Sequence, residues 1–214
     1  MRRLYLAAAV GLFVLVGLEG GAFRLADDTV TLLAERGNVA NAVTVVYLGV
    51  RLYDTLFEVL VFSVAVLGVT VHLARDEGMG SLPDDPALLF MVRGGAFVAL
   101  LIGAAQALTG HLAPGGGFAA GVSLATGAVL LQMGPLPALK GLDEEFLLAV
   151  EKGLLILFLC LAWASLLGFS LPPGERGRLF SGGLLLPLNL SVSFKVGLGA
   201  WIVALRFLHH HWVF

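Results

Sequence analysis

Six apolar stretches, each near the length a helix needs to cross a lipid bilayer, govern what this 214-residue chain can fold into. They are Leu4–Phe23, Thr55–Leu73, Leu88–Leu108, Phe118–Met133, Phe146–Phe169 and Leu188–Leu208. A span takes ~20 mostly apolar residues in a helix, because hydrocarbon offers the backbone N–H and C=O groups no partner outside the segment. The fourth stretch is short, so it crosses with little tilt or begins inside the preceding glycine-rich loop. The expected fold is all-α, a polytopic integral membrane protein with about six transmembrane helices.

Composition agrees with this reading. Hydrophobic residues make up 58% of the chain and charged ones 13%, too few to cover a water-facing surface. A net charge of −2 without any basic cluster excludes nucleic acid as a partner. Cys160 is the single cysteine, which rules out an intrachain disulfide and a cysteine metal cluster. Neither a cofactor fingerprint nor a metal-ligand spacing occurs, and no catalytic dyad or His-Glu-x-x-His stands out. A transport or assembly role is expected, with no cofactor and no enzymatic reaction of its own.

Met1-Arg2-Arg3 and the apolar run after it imitate a signal peptide, but Glu19-Gly20-Gly21 offers no Ala-x-Ala cleavage site. A retained first helix is expected. Ala74–Pro86, Gly134–Glu145 and Ser170–Gly183 carry the prolines, glycines and acids of solvated loops. The first of these divides the chain into modules at about 1–80 and 85–214. With the amino terminus inside, Arg2, Arg3, Arg75, Lys140 and Arg206 fall on the inner side. The outer side takes Arg24, Arg36, Arg176 and Arg178, a balance that favours cytoplasmic termini in the cell's inner (plasma) membrane. There is neither a repeat of fixed period nor an inverted repeat, which argues against a self-sufficient transporter.

The charges within apolar sequence are the candidate functional residues. Arg51, Asp54 and Glu58 lie at i, i+3 and i+7, on one side of a helix, with Tyr47 a turn earlier. A carboxylate at membrane depth costs ~2.5–3.5 kcal/mol on insertion scales, so such groups face protein or water. Arg51 can pair with Asp54, leaving Glu58 deeper as a proton or cation carrier. The competing reading is an interfacial cluster: Val43–Gly49 lies along the membrane surface, Gly49 allows a bend, and the charges mark where the span begins. A pathway must open at an interface, so both readings stand. Lys195 lies in the last apolar run, either snorkelling to the interface or buried against a carboxylate of this or a neighbouring subunit. Glu151 and Lys152 are expected at the interface, and His209-His210-His211-Trp212 as a polar, aromatic anchor.

Between the third and fourth runs stands Gly110-His111-Leu112-Ala113-Pro114-Gly115-Gly116-Gly117-Phe118. Pro114 and the glycines break a helix, and irregular backbone at this depth must be covered by protein or water. The string lacks the Lys-Ser/Thr of a phosphate loop. Gly117 and Gly121 form a small-xxx-small pair that lets another helix approach. His111 is either a hydrogen-bonding residue at the interface or a proton carrier.

This string closely resembles the signature of the B subunit of Mrp-type multisubunit Na+/H+ antiporters and of the equivalent small subunit of membrane-bound hydrogenases. The resemblance covers about Leu88–Leu208, with Ala120-Gly121 where the family often has Gly-Gly. Leu186-Pro187-Leu188-Asn189 and Lys195-Val196-Gly197 are similar to its last helix. Asn41-Ala42-Val43 through Arg51-Leu52-Tyr53-Asp54-Thr55-Leu56-Phe57-Glu58 resembles the carboxy-terminal module of the A subunit, which is a separate E subunit in membrane-bound hydrogenases. Leu52 and Phe57 replace the two glycines of its Arg-Gly-x-Asp-Thr-x-Gly-Glu pattern. The resemblance implies a fused, non-catalytic subunit of a cation-translocating assembly. Its partners would be other subunits, the bilayer, Na+ and H+, with Asp54 and Glu58 first on the ion pathway, then Arg51, His111 and Lys195. Pro114, Gly115, Gly116, Gly117, Phe118 and Gly121 would form a structural loop. The alternative is a purely structural subunit that packs the large subunits together.

Overall fold

A computed structural model describes residues 27–73, 85–133 and 143–211. The described residues form helices α1 (Asp27–Arg36), α2 (Ala42–Val45), α3 (Leu52–His72), α4 (Pro86–Thr109), α5 (Gly117–Met133), α6 (Glu144–Leu166) and α7 (Leu185–His211), with a π-helical turn at Val46–Val50. Four of them, α3, α4, α6 and α7, are long and apolar enough to cross a membrane. Of the six expected spans, these four are shown among the described residues. The run Leu4–Phe23 lies outside the described residues, as do Arg75, Lys140 and Trp212. The fourth run is the 17-residue α5, about 25 Å long at 1.5 Å per residue and short of a hydrocarbon core of about 30 Å.

Local chemistry sets the helix ends. Asp85 caps α4 by accepting from Ala87 N, with Pro86 at the first helical position, where its missing N–H costs nothing. Asp143 caps α6 by accepting from Glu145 N, and Glu144 and Glu145 suit the positive helix start. Asn41 does the same for α2. At Arg51 the backbone leaves helical geometry (φ −109°, ψ 33°), so the break falls there rather than at the more permissive Gly49. Helix α1 forms from a short, polar stretch with no apolar run of spanning length.

Helix α7 is the axis of the bundle. Of its membrane span 61% is buried, against 11–22% for α3, α4 and α6. Leu188, Val192, Val196 and Ile202 form its core stripe, packed on Val59 and Val66 of α3 and on Phe158 and Ala162 of α6. Helix α4 instead leaves Phe90, Met91, Phe97, Val98 and Leu101 exposed, an outer face that suits lipid as solvent.

One surface of the bundle is fastened by Arg206. Its Nε donates to Glu144 Oε1 at 2.6 Å, and its Nη1 to the Leu73 carbonyl at 2.7 Å, joining the ends of α7, α6 and α3. The guanidinium is mostly buried, which lifts this pair above the small worth of exposed ion pairs. Arg206→Gln is therefore expected to cost about 1–3 kcal/mol, read as a lower detergent unfolding temperature.

Candidate functional site

The sequence-selected residues fall in three places rather than one. The first is the head of α3. Arg51 and Asp54 form an i,i+3 ion pair whose side chains are 60% and 50% exposed, and Glu58 is exposed one turn below. The buried side of the same turn carries Thr55, whose Oγ1 donates to the Tyr47 carbonyl at 2.6 Å. That bond ties the π-turn to α3. All three charges are thus turned away from the rest of the chain.

The second place is the glycine-rich break. Asn41 Nδ2 donates to the carbonyls of Gly110 and Ala113, both at 2.7 Å, and Thr44 Oγ1 also donates to Gly110. Backbone N–H groups of Ala40 and Asn41 donate to the His111 carbonyl. Tyr47 Oη donates to Asn189 Oδ1 and accepts from Gly117 N at 3.4 Å, while Asn189 Nδ2 donates to the Ala107 carbonyl at 2.8 Å. These bonds satisfy the carbonyls freed where α4 ends, as unpaired backbone in this setting requires. Burial raises the Tyr47 phenol above its ordinary pKa, which keeps it a neutral donor.

Glycine is required in this network for space. A Cβ on Gly110 would stand 2.6 Å from Asn189 Nδ2, and one on Gly117 2.8 Å from the Val192 side chain. On Gly121 it would meet Ser193 O and Val196 Cβ, both at 2.7 Å. Backbone-to-backbone approach of α5 and α7 is what these positions allow. Asn189→Ala is expected to cost about 1–3 kcal/mol by stranding the Tyr47 hydroxyl and the Ala107 carbonyl, a loss measurable by thermal unfolding in detergent.

His111 is wholly buried, with Nε2 within 3.5 Å of the Arg178 carbonyl and Nδ1 without a hydrogen-bond partner. Gly182, at φ +86°, packs on its ring. The strap at 170–184 covers this residue, so His111 meets protein on this face. Burial lowers its pKa below the ordinary 6.5, opposed by the Arg178 carbonyl. A depressed histidine favours the neutral folded form, so its contribution to stability is present above pH 6.5 and lost as pH falls from there toward the folded pKa. Thermal stability is expected to fall on acidification over that window, and His111→Gln to blunt the fall.

The third place is an ion cluster inside the bundle. Lys195 and Glu151 are both fully buried, with Nζ 3.3 Å from Oε1. Lys152 Nζ lies 2.7 Å from the other carboxylate oxygen and is partly exposed. Lys195 also donates to the Val59 carbonyl of α3 at 3.2 Å and stands 4.3 Å over the Phe62 ring. Of the two sequence readings for Lys195, the structure shows the buried pair. Glu151, expected at the interface, is instead its partner. The missed signal was the stripe Leu147, Glu151, Phe158, Ala162, all buried and at helical spacing along α6.

Residues 88–203 match the family described as "Domain related to MnhB subunit of Na+/H+ antiporter". No curated protein matches the chain. Among solved structures, a chain of the membrane-bound sulfane sulfur reductase, an archaeal respiratory membrane complex, is similar at 23% identity and a TM-score of 0.71, covering 97% of this chain and 99% of that one. A chain of the Mrp complex from Dietzia sp. DQ12-45-1b is similar at 20% identity and a TM-score of 0.65 over 99% of this chain, which spans 26% of that longer one. At such identities the likeness concerns the fold.

Proposed function

The chain belongs to the family of domains related to the MnhB subunit of Na+/H+ antiporters, and from that premise we propose that it is a membrane subunit of a multisubunit cation/proton antiporter or of the antiporter-like part of a membrane-bound respiratory complex. The observation that carries the reading is the outward face of α3. Arg51, Asp54 and Glu58 are exposed on this chain at the head of a membrane helix, where carboxylates facing lipid are costly. A neighbouring subunit or a water-filled path must cover them, so Asp54 and Glu58 contribute to Na+ or H+ movement at a subunit boundary. Lys195 and His111 are secondary contributors. Family membership and the fold likeness to chains of an archaeal respiratory complex and an Mrp complex support a many-subunit setting.

Within this reading the chain joins an A-subunit-like or hydrogenase-E-like module, residues 1–80, to a B-like module, residues 85–214. The surface bearing Arg206 faces the cytoplasm, with both termini. The test is cation-dependent proton exchange by the assembled complex in lipid vesicles. Glu58→Gln is expected to abolish exchange while leaving subunit composition intact, and undiminished exchange would remove the direct role.

A second reading, a purely structural subunit, is favoured by the close α5–α7 approach at Gly117 and Gly121 and by the hydrogen bonds across the break. Under it, neutral isosteres at Asp54 and Glu58 are tolerated, and only substitutions at Pro114–Gly121 dissociate the complex.

A further inference from the structure

We propose that Glu151 and Lys195 form a proton-holding site near the middle of the membrane, filled and emptied past Lys152. The proposal rests on the subunit reading above but assigns the site to residues of this chain alone. Its depth follows from helix rise. Lys195 lies about 15 Å along α7 from Leu185, and Glu151 about 10 Å along α6 from Glu144.

Burying such a group is expensive, and a buried pair is on average no more stabilising than apolar residues of the same volume. Here two ammonium groups share one carboxylate, a net positive charge within apolar helices. The two oxygens of Glu151 face only the ammonium groups of Lys195 and Lys152, at 3.3 and 2.7 Å, and no neutral donor shares the carboxylate. Stability does not account for the arrangement. A graded path does: Lys152 is partly exposed, Glu151 is buried beside it, and Lys195 lies behind Glu151 against α3.

No other charged side chain among the described residues competes for this site. From α3 the group meets the Val59 carbonyl and the Phe62 ring; Ser63, one turn on and buried, has an Oγ without a partner. Glu58 points outward from the same helix, and the sequence of α5 holds no ionisable residue. Arg93 of α4 is exposed, and Tyr47 of the π-turn is engaged with Asn189.

The step is a simple exchange. With Lys195 as ammonium and Glu151 as carboxylate, one proton passes from Nζ to Oε1. The N–H bond breaks, an O–H bond forms, and a neutral amine faces a neutral carboxyl. Rotation of the Glu151 carboxyl carries that O–H to the Lys152 side, where water takes the proton as hydronium and the carboxylate is restored. Uptake runs the same two transfers in reverse.

The test uses the whole complex in lipid vesicles carrying an internal pH-sensitive dye. Lys195→Arg keeps the positive charge but cannot release its proton, so proton flux per assembled complex is expected to drop about tenfold or more. Wild-type flux through an intact Lys195→Arg complex overturns the proposal. Should the larger guanidinium prevent assembly, infrared difference spectra of the wild-type complex across a pH titration decide. A buried carboxyl band that is missing when Glu151→Gln and Lys195→Gln are combined supports the site, and the lack of any such band overturns it. A wild-type complex that moves no cation would instead defeat the subunit reading, and the infrared experiment would still judge the site.

Discussion

Glu151→Leu alone is expected to destabilise the protein by about 3–5 kcal/mol, the cost of stranding one partner of a buried ion pair. Lys195 would keep only the Val59 carbonyl and the Phe62 ring, neither of which replaces a carboxylate. The reverse change, Lys195→Met, should cost less, because Lys152 already lies 2.7 Å from Glu151 and can neutralise it. Combining the two changes removes both desolvation penalties, so the double variant should recover most of the loss. Unfolding midpoints of the three variants in detergent give the coupling energy directly. Equal penalties for both single variants would show that Lys152 does not compensate.

The second large effect is expected at Gly121. Its added Cβ would meet the Ser193 carbonyl and Val196 Cβ at 2.7 Å, closer than a carbon can stand to either. Flexible side chains could give way, but Ser193 O belongs to the backbone of the central helix. Gly121→Val should therefore part α5 from α7 and exceed the ~1–3 kcal/mol typical of overpacking, with loss of the folded subunit from the membrane. Gly153 on α6 is the control. Nothing lies within 4 Å of a Cβ there, so Gly153→Ala should be neutral or stabilise by about 0.5–1 kcal/mol through helix propensity.

Hydropathy made the long helices legible, since α3, α4, α6 and α7 each occupy a run visible in the sequence. It could not reveal α1, a ten-residue amphipathic segment too polar on average to register as a span. Arg51, Asp54 and Glu58 were readable because helical spacing alone places them on one side. Lys195 stood out as a charge in an apolar run, yet its partner did not: Glu151 beside Lys152 looks like an interfacial dipeptide until Leu147 and Phe158 are counted on its face. The bonds around the break were invisible for another reason. Tyr47 and Asn189 are 142 positions apart, and a polar residue carries no local mark of a partner at that distance. The glycines and Pro114 announced a break; what fills it came from another part of the chain.

The Arg206 clasp, taken with the bonds from Ala40, Asn41, Thr44 and Tyr47, has a consequence for how such a protein could be encoded. The part ending at Leu73 is held at one surface by a guanidinium and at the other by hydrogen bonds to Gly110, His111 and Ala113. None of these contacts needs the peptide connection between residues 73 and 85. Two polypeptides made separately could meet through the same atoms. Carrying both parts on one chain fixes a one-to-one ratio and a high effective concentration. The peptide connection thus sets how many copies meet, while the side chains set how they fit.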